Sequence, residues 1–169
     1  DILVNNAGIL RDKSLLKMEE SMWDLVMQVH TKQLYAVTRP VPAKMVEQGE
    51  GGRIINTTSL AGLLGNYGQT NYSTAKAGVA GFTRTLAMEA RKAGVTVNAI
   101  GPGPTSTPGM IAASNRTDEE VQADLDAHLP LGRRMDPSEM VGAVIYLASK
   151  SSAGTTGHLL MVDGGWTAI

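Results

Sequence analysis

Four short, nearly continuous apolar runs at residues 2–5, 53–58, 95–100 and 158–162 are separated by longer stretches whose apolar positions recur at helical spacing. A strand exposed on one face alternates apolar and polar residues, so unbroken runs predict parallel strands covered by helices on both faces. Between the first two runs Met22, Leu25, Val26 and Val29 mark one helical face, continued by Leu34 and Val37, with Glu19 or Ser21 near the start. Pro40 and Pro42 predict a kink or an early helix end near Arg39, because proline lacks an N–H and clashes with the preceding turn. A later helix carries Tyr72, Lys76, Val79, Phe82, Leu86 and Ala90 and stops at Gly94. Its Ala75, Ala77, Gly78, Ala80 and Gly81 leave little bulk, which predicts close helix packing within the subunit or against another one.

The third run opens into residues 101–109, rich in glycine and proline and read as irregular. Thr117 with Glu120 forms a capping-box pattern for a short helix through Val121 and Leu125 that ends before Pro130. Asp136-Pro137 then starts the last helix, with Met140, Val141, Val144, Ile145 and Leu147 as its apolar positions. Residues 104–135 thus read as a flap between two fixed elements.

The totals narrow the class. A chain of 169 residues with 43% hydrophobic residues and 19 glycines suits one soluble α/β domain over 1–169. A formal net charge of -1 without a basic stripe gives no reason to expect a nucleic-acid partner. The absence of cysteine excludes disulfides, a thiol nucleophile and cysteine-ligated metal, and fits a cytoplasmic protein. His30, His128 and His158 share no metal-ligand spacing, so no metal is expected. No apolar run is long enough to cross a membrane, and no membrane partner is expected. The chain begins at Asp1, directly before a strand, which reads as a fragment or a processed product.

Candidate chemistry starts at Tyr72 and Lys76. Four apart on a helix, they project from one face and can act on one bound molecule. An ammonium beside a phenol favours the phenolate, so the expected effect is a phenol pKa lowered from about 10 toward working pH. In an open parallel sheet the ligand lies beyond the carboxyl ends of the strands. Asn5-Asn6-Ala7-Gly8, Ser59 and Pro102-Gly103 fall at those ends. The first of these reads either as a good turn or as a close-approach surface for a flat ligand, with the Asn5 side chain free to bond across to a neighbouring strand.

Taken in order, Asn5-Asn6-Ala7-Gly8, Ser59, Tyr72-x-x-x-Lys76, Pro102-Gly103 and the closing Asp163-Gly164-Gly165 resemble the short-chain dehydrogenase/reductase family over essentially the whole chain. The resemblance implies a Rossmann-type, three-layer α/β sandwich with a parallel sheet, here the carboxyl-terminal portion of the doubly wound fold. It implies an enzyme that moves hydride between NAD or NADP and a carbonyl or alcohol. Carried over, Tyr72 is the general acid/base, Lys76 binds the nicotinamide ribose and depresses the tyrosine pKa, and Ser59 bonds the substrate oxygen. Asn5, Ala7, Gly8, Pro102, Gly103 and Thr105 would line the cofactor site, with Thr107 on the carboxamide. A homo-oligomer, dimer or tetramer, is expected.

Two departures stand out. Where the family carries an asparagine that helps hold a water reaching the lysine, this chain has His30. An imidazole can serve that relay too, or pack as a plain substitution. The glycine-rich pyrophosphate loop and the residue that selects NAD or NADP, which precede Asn-Asn-Ala-Gly in the family, are not in this sequence. Within the family, Gly8-Ile9-Leu10-Arg11-Asp12 and residues 65–72 are similar to 3-oxoacyl thioester reductases and 3-hydroxyacyl-CoA dehydrogenases. Gln69 is then a substrate contact, and Met110, Ile111, Ala112 and Ala113 suit either a cover over an acyl chain or simple lid packing. The expected substrate is an acyl thioester. The alternatives are a truncated, non-catalytic remnant acting through subunit association and a sugar or polyol dehydrogenase of the same family.

Overall fold

Four strands, β1 (Ile2–Asn5), β2 (Gly52–Thr57), β3 (Val95–Pro102) and β4 (Leu159–Val162), form one all-parallel sheet in the order β1-β2-β3-β4. The computed structural model describes residues 1–113 and 117–168. The apolar run of β2 is unbroken because its side chains fill two cores. Ile54 packs with Met45, Ala87 and Val97 on one face, while Ile55 packs with Ile100 and Leu147 on the other. Each is fully buried, worth about 1.5–3 kcal/mol per side chain relative to exposure. The result is a three-layer, Rossmann-type α/β arrangement. Among the described residues no strand pairs with the outer edge of β1, where Ile2 and Val4 are exposed.

The first helical stretch is less regular than its periodicity suggests. Helix α1 (Glu20–Met27) passes through a π-helical segment, Gln28–Lys32, before resuming as α2 (Gln33–Thr38). A wider turn of this kind re-aims side chains, and here it carries His30. The prolines break the helix where expected: α2 stops at Thr38, and Pro40 caps a new helix, α3 (Val41–Gln48). After β2, a short helix α4 (Ala61–Leu64) leads to α5 (Thr70–Ala90), whose continuation ends at Gly94 with φ +66°. Helix α5 packs inward through Ala75, Val79, Ala80, Thr83 and Ala87, whereas Gly78 and Gly81 face outward with nothing within 4 Å of an added Cβ. Only part of the small-residue run therefore serves packing within the chain.

Pro108-Gly109 corrects the sequence reading. They open a helix, α6 (Pro108–Ala113), and so the irregular turn is shorter than 101–109; proline suits a first helical turn because its missing N–H has no partner there. Helix α7 (Asp118–His128) has the expected Thr117/Glu120 capping box. Asp136 and Glu139 form a second box that starts a 3-10 turn leading into α8 (Val141–Ala148). The two ends of the 104–135 segment are tied together, since Met135 N–H donates to Pro104 O at 2.9 Å and Ser106 N–H donates to Met135 O at 2.8 Å. Its base docks on the closing turn, where Leu131 N–H donates to Gly164 O at 3.2 Å.

Candidate active site

The carboxyl ends of β1, β2 and β3 and the start of α5 converge on Tyr72. Pairing of β2 with β3 continues past the strand, with Thr58 N–H on Ile100 O at 2.8 Å and Leu60 N–H on Pro102 O at 3.0 Å, which fixes Ser59 between them. Helix α5 is anchored at both ends of its chemistry. The Asn71 amide donates to Arg11 O at 2.9 Å, and its oxygen accepts from Tyr72 N–H at 2.8 Å. One turn on, the Thr58 hydroxyl donates to Lys76 O at 2.7 Å, while Lys76 Nζ donates to Thr57 O at 2.7 Å. Gly62 permits this approach, because a Cβ there would lie 2.7 Å from the Lys76 carbonyl carbon. Lys76 Nζ stands 5.6 Å from the centroid of the Tyr72 ring.

The two side chains open onto different hollows. Tyr72 and Ser59 line a cleft of about 270 Å³ with Leu10, Leu64, Met110, Leu125, Arg134 and Trp166. Lys76 lines a second cavity of about 160 Å³ with Asn5, Asn6, Ala7 and His30, next to the outer edge of β1.

Electrostatics reverse one expectation. Burial raises the Tyr72 phenol above its ordinary value; the Ser59 hydroxyl opposes the rise, and Asp12 adds to it. Lys76 does not draw the phenol down. Only 4% exposed, it is itself pushed down to about 8 by desolvation, which weakens its charge near the pH where it was expected to act.

His30 is buried on the π-helical segment. Its Nε2 lies 3.1 Å from Ile9 N and 2.8 Å from Ile9 O, accepting from the one or donating to the other according to tautomer. The ring meets Tyr72 edge-on, 5.1 Å between centroids and 88° between planes. Burial holds the imidazole pKa low, the Ile9 contact opposes this, and Lys76 adds to it. Gly8 is confined by the same ring, since an added Cβ would lie 2.8 Å from His30 Cε1.

The other predicted residues are partly committed to the fold. Asn5 bonds across to β2, donating to Asn56 Oδ1 at 2.8 Å and to Thr38 Oγ1 at 2.9 Å. Ala7 and Gly8 lie in an exposed turn after β1. Pro102 and Gly103 line the Ser59 cleft. Thr105 is buried and donates to Gly103 O at 3.0 Å, while Thr107 caps α6 by accepting from Met110 N–H at 3.2 Å. Gln69 lines the cleft, yet its amide donates to Asp12 at 2.7 Å and accepts from Asn66 at 3.1 Å. Met110 lines the cleft as well; the side chains of Ile111, Ala112 and Ala113 lie outside the described residues.

Sequence reasoning missed Asn71, Asp12, Arg134 and Trp166. An asparagine directly before the helical tyrosine is a signal for the first. The other three come to the site through long-range packing: Trp166 stacks on His128 of α7 with centroids 5.3 Å apart.

A family model described as enoyl-(acyl carrier protein) reductase matches residues 1–167. The chain belongs to the short-chain dehydrogenase/reductase family. Among curated family members it is 45% identical over 165 residues to an acetoacetyl-CoA reductase of Acinetobacter sp., covering 98% of this chain and 64% of the relative. It is 46% identical over 169 residues to a 3-oxoacyl-(acyl-carrier-protein) reductase of Vibrio cholerae, covering 100% and 67%. The chain thus spans about two thirds of the length of these relatives. A solved structure from Agrobacterium tumefaciens, described as a 2-deoxy-D-gluconate 3-dehydrogenase with bound NADP, matches all of this chain and 68% of its own at 37% identity and TM-score 0.94. Among the described residues no group of histidines and carboxylates could hold a metal, and no helix is long and apolar enough to cross a membrane.

Proposed function

We propose that this chain carries the catalytic part of an NAD(P)-dependent oxidoreductase that interconverts a 3-oxoacyl and a 3-hydroxyacyl thioester. The observation that carries this reading is the meeting of the Ser59 and Tyr72 hydroxyls in one cleft, with Lys76 behind the phenol. As a carbonyl is reduced, negative charge grows on its oxygen, and two hydroxyl donors aimed there stabilise the transition state more than the ground state. Tyr72 gives its proton to that oxygen, and Ser59 holds the oxygen in place. His30 is a positioning residue: it pins the turn at Ile9 and supports the edge of the Tyr72 ring.

The residues suit a dinucleotide. Small, exposed residues at Asn6-Ala7-Gly8 leave backbone open beside the Lys76 cavity. Lys76, Asn5, Ala7, Gly8, Pro102, Gly103, Thr105 and Thr107 would hold the nicotinamide half, which supplies or accepts the hydride. A cytoplasmic homo-oligomer, dimer or tetramer, is part of the proposal, supported by the outward side of α5, where Gly78 and Gly81 leave open space and Met88, further along the helix, is 66% exposed.

The curated relatives named as acyl thioester reductases favour this substrate class, while the gluconate dehydrogenases among the solved structures favour a sugar acid as the second reading. Nicotinamide oxidation with acetoacetyl-CoA, set beside a 3-dehydro-2-deoxy sugar acid and a 5-dehydro sugar acid, separates them. Preferential turnover of the sugar acids would reject the thioester reading, and loss of saturable NADH and NADPH binding would leave only a non-catalytic association role.

A further inference from the structure

The adjacent arginines 133 and 134 have different fates. Arg133 is taken up by Glu139, with its two terminal nitrogens on the two carboxylate oxygens at 2.8 and 3.1 Å. Arg134 is half-buried and lines the cleft that holds Ser59 and Tyr72, and its guanidinium makes no ion pair or side-chain hydrogen bond to a described residue. Its backbone is well fixed. Met135 is buried beside it and bridges to Thr105, so the segment runs as an added edge along the turn after β3. Among the described residues lining the cleft, Arg134 is the one cation and Asp124 the one anion. Asp124 is engaged by His128, at 3.2 Å. The remaining wall combines apolar side chains such as Leu10, Leu64 and Met110 with nearly as much polar surface, and Asn66 and Gln69 are bonded to each other.

We propose that Arg134 is a specificity residue that binds the oxygen at C1 of the substrate, two carbons from the oxygen held by Ser59 and Tyr72. The inference rests on the hydride-transfer reading above. A guanidinium that lines a cleft and has no partner among the described residues gains most from a planar oxygen acceptor, to which it can donate from a fork. The cleft, at about 270 Å³, lies just below the usual range for a drug-sized ligand. It therefore holds the reacting end of a substrate, and the charged end of a long carrier arm falls outside it. The group within reach of Arg134 is then the C1 oxygen, either as a thioester carbonyl or as a free carboxylate.

The test compares three substrates with the nicotinamide cofactor: the N-acetylcysteamine thioester of acetoacetate, acetoacetate itself, and 2-pentanone, which lacks a C1 oxygen. Arg134→Met should lower kcat/KM for the thioester, relative to 2-pentanone, by about 10- to 100-fold, mostly through KM. Arg134→Lys should recover part of that loss. A selective loss on acetoacetate instead identifies the carboxylate as the bound group. Equal effects of Arg134→Met on all three substrates overturn the assignment. If the wild type reduces none of the three, the hydride-transfer reading falls and this one with it.

Discussion

Replacing Lys76 by methionine should make the protein inactive and more stable at neutral pH. The ammonium is 4% exposed, and its pKa falls from 10.5 to about 8. At about 1.4 kcal/mol for each tenfold change in acidity, holding the proton in the fold costs about 3 kcal/mol at pH 7. Methionine removes that cost. It also removes the donor to Thr57 O, which returns about 1 kcal/mol, leaving a net gain of about 2 kcal/mol. The pH dependence has a definite sign. Below pH 8 both folded and unfolded chains carry the proton and the full cost is present; between about 8 and 10.5 the unfolded chain binds more protons, so wild-type stability rises relative to the variant. Urea unfolding of both proteins at pH 7 and pH 9.5 reads this directly. A variant less stable than wild type at pH 7, or a difference that does not shrink with pH, would show that burial of the Lys76 ammonium carries no such cost.

Three further outcomes are expected. The phenolate absorbance of Tyr72, isolated as the difference between wild type and Tyr72→Phe, should titrate above pH 10 because burial dominates; a midpoint below 10 would restore the lysine-driven reading. Ser59→Ala should lower kcat about 100-fold or more with its fold intact by circular dichroism, and a loss under tenfold would remove Ser59 from the oxygen site. Gly8→Ala should destabilise by about 1–3 kcal/mol through contact with His30, and His30→Ala in the same chain should relieve most of that in thermal unfolding; additive losses would contradict the contact.

The central strands β2 and β3 were legible because burial on both faces leaves an unbroken apolar run, as at Ile54 and Ile55, whereas β1 has the same apolar run with Ile2 and Val4 exposed. The break at Pro40, the Thr117/Glu120 capping box and the helix start at Asp136-Pro137 were legible because each depends on a residue type at a fixed offset, whereas the box that Glu139 completes with Asp136 came only with the structure. The π-helical segment was not, since Gln28–Lys32 has no compositional mark and arises where His30 meets the backbone of Ile9. Proximity of Tyr72 and Lys76 followed from helical spacing, but the direction of their pKa values did not. Desolvation depends on how the strands and α4 close over α5, and that is a property of the packed molecule. Arg134 was hidden for a related reason: its place in the cleft comes from the bridge between Thr105 and Met135, thirty residues apart in sequence.

In the proposed reaction Tyr72 delivers a proton to a substrate oxygen during hydride transfer. That role is read by following nicotinamide absorbance with acetoacetyl-CoA for wild type and Tyr72→Phe side by side. Wild type should oxidise the reduced cofactor steadily, and the variant should do so at a rate at least 100-fold lower with unchanged cofactor affinity. Equal rates for the two proteins would contradict that role.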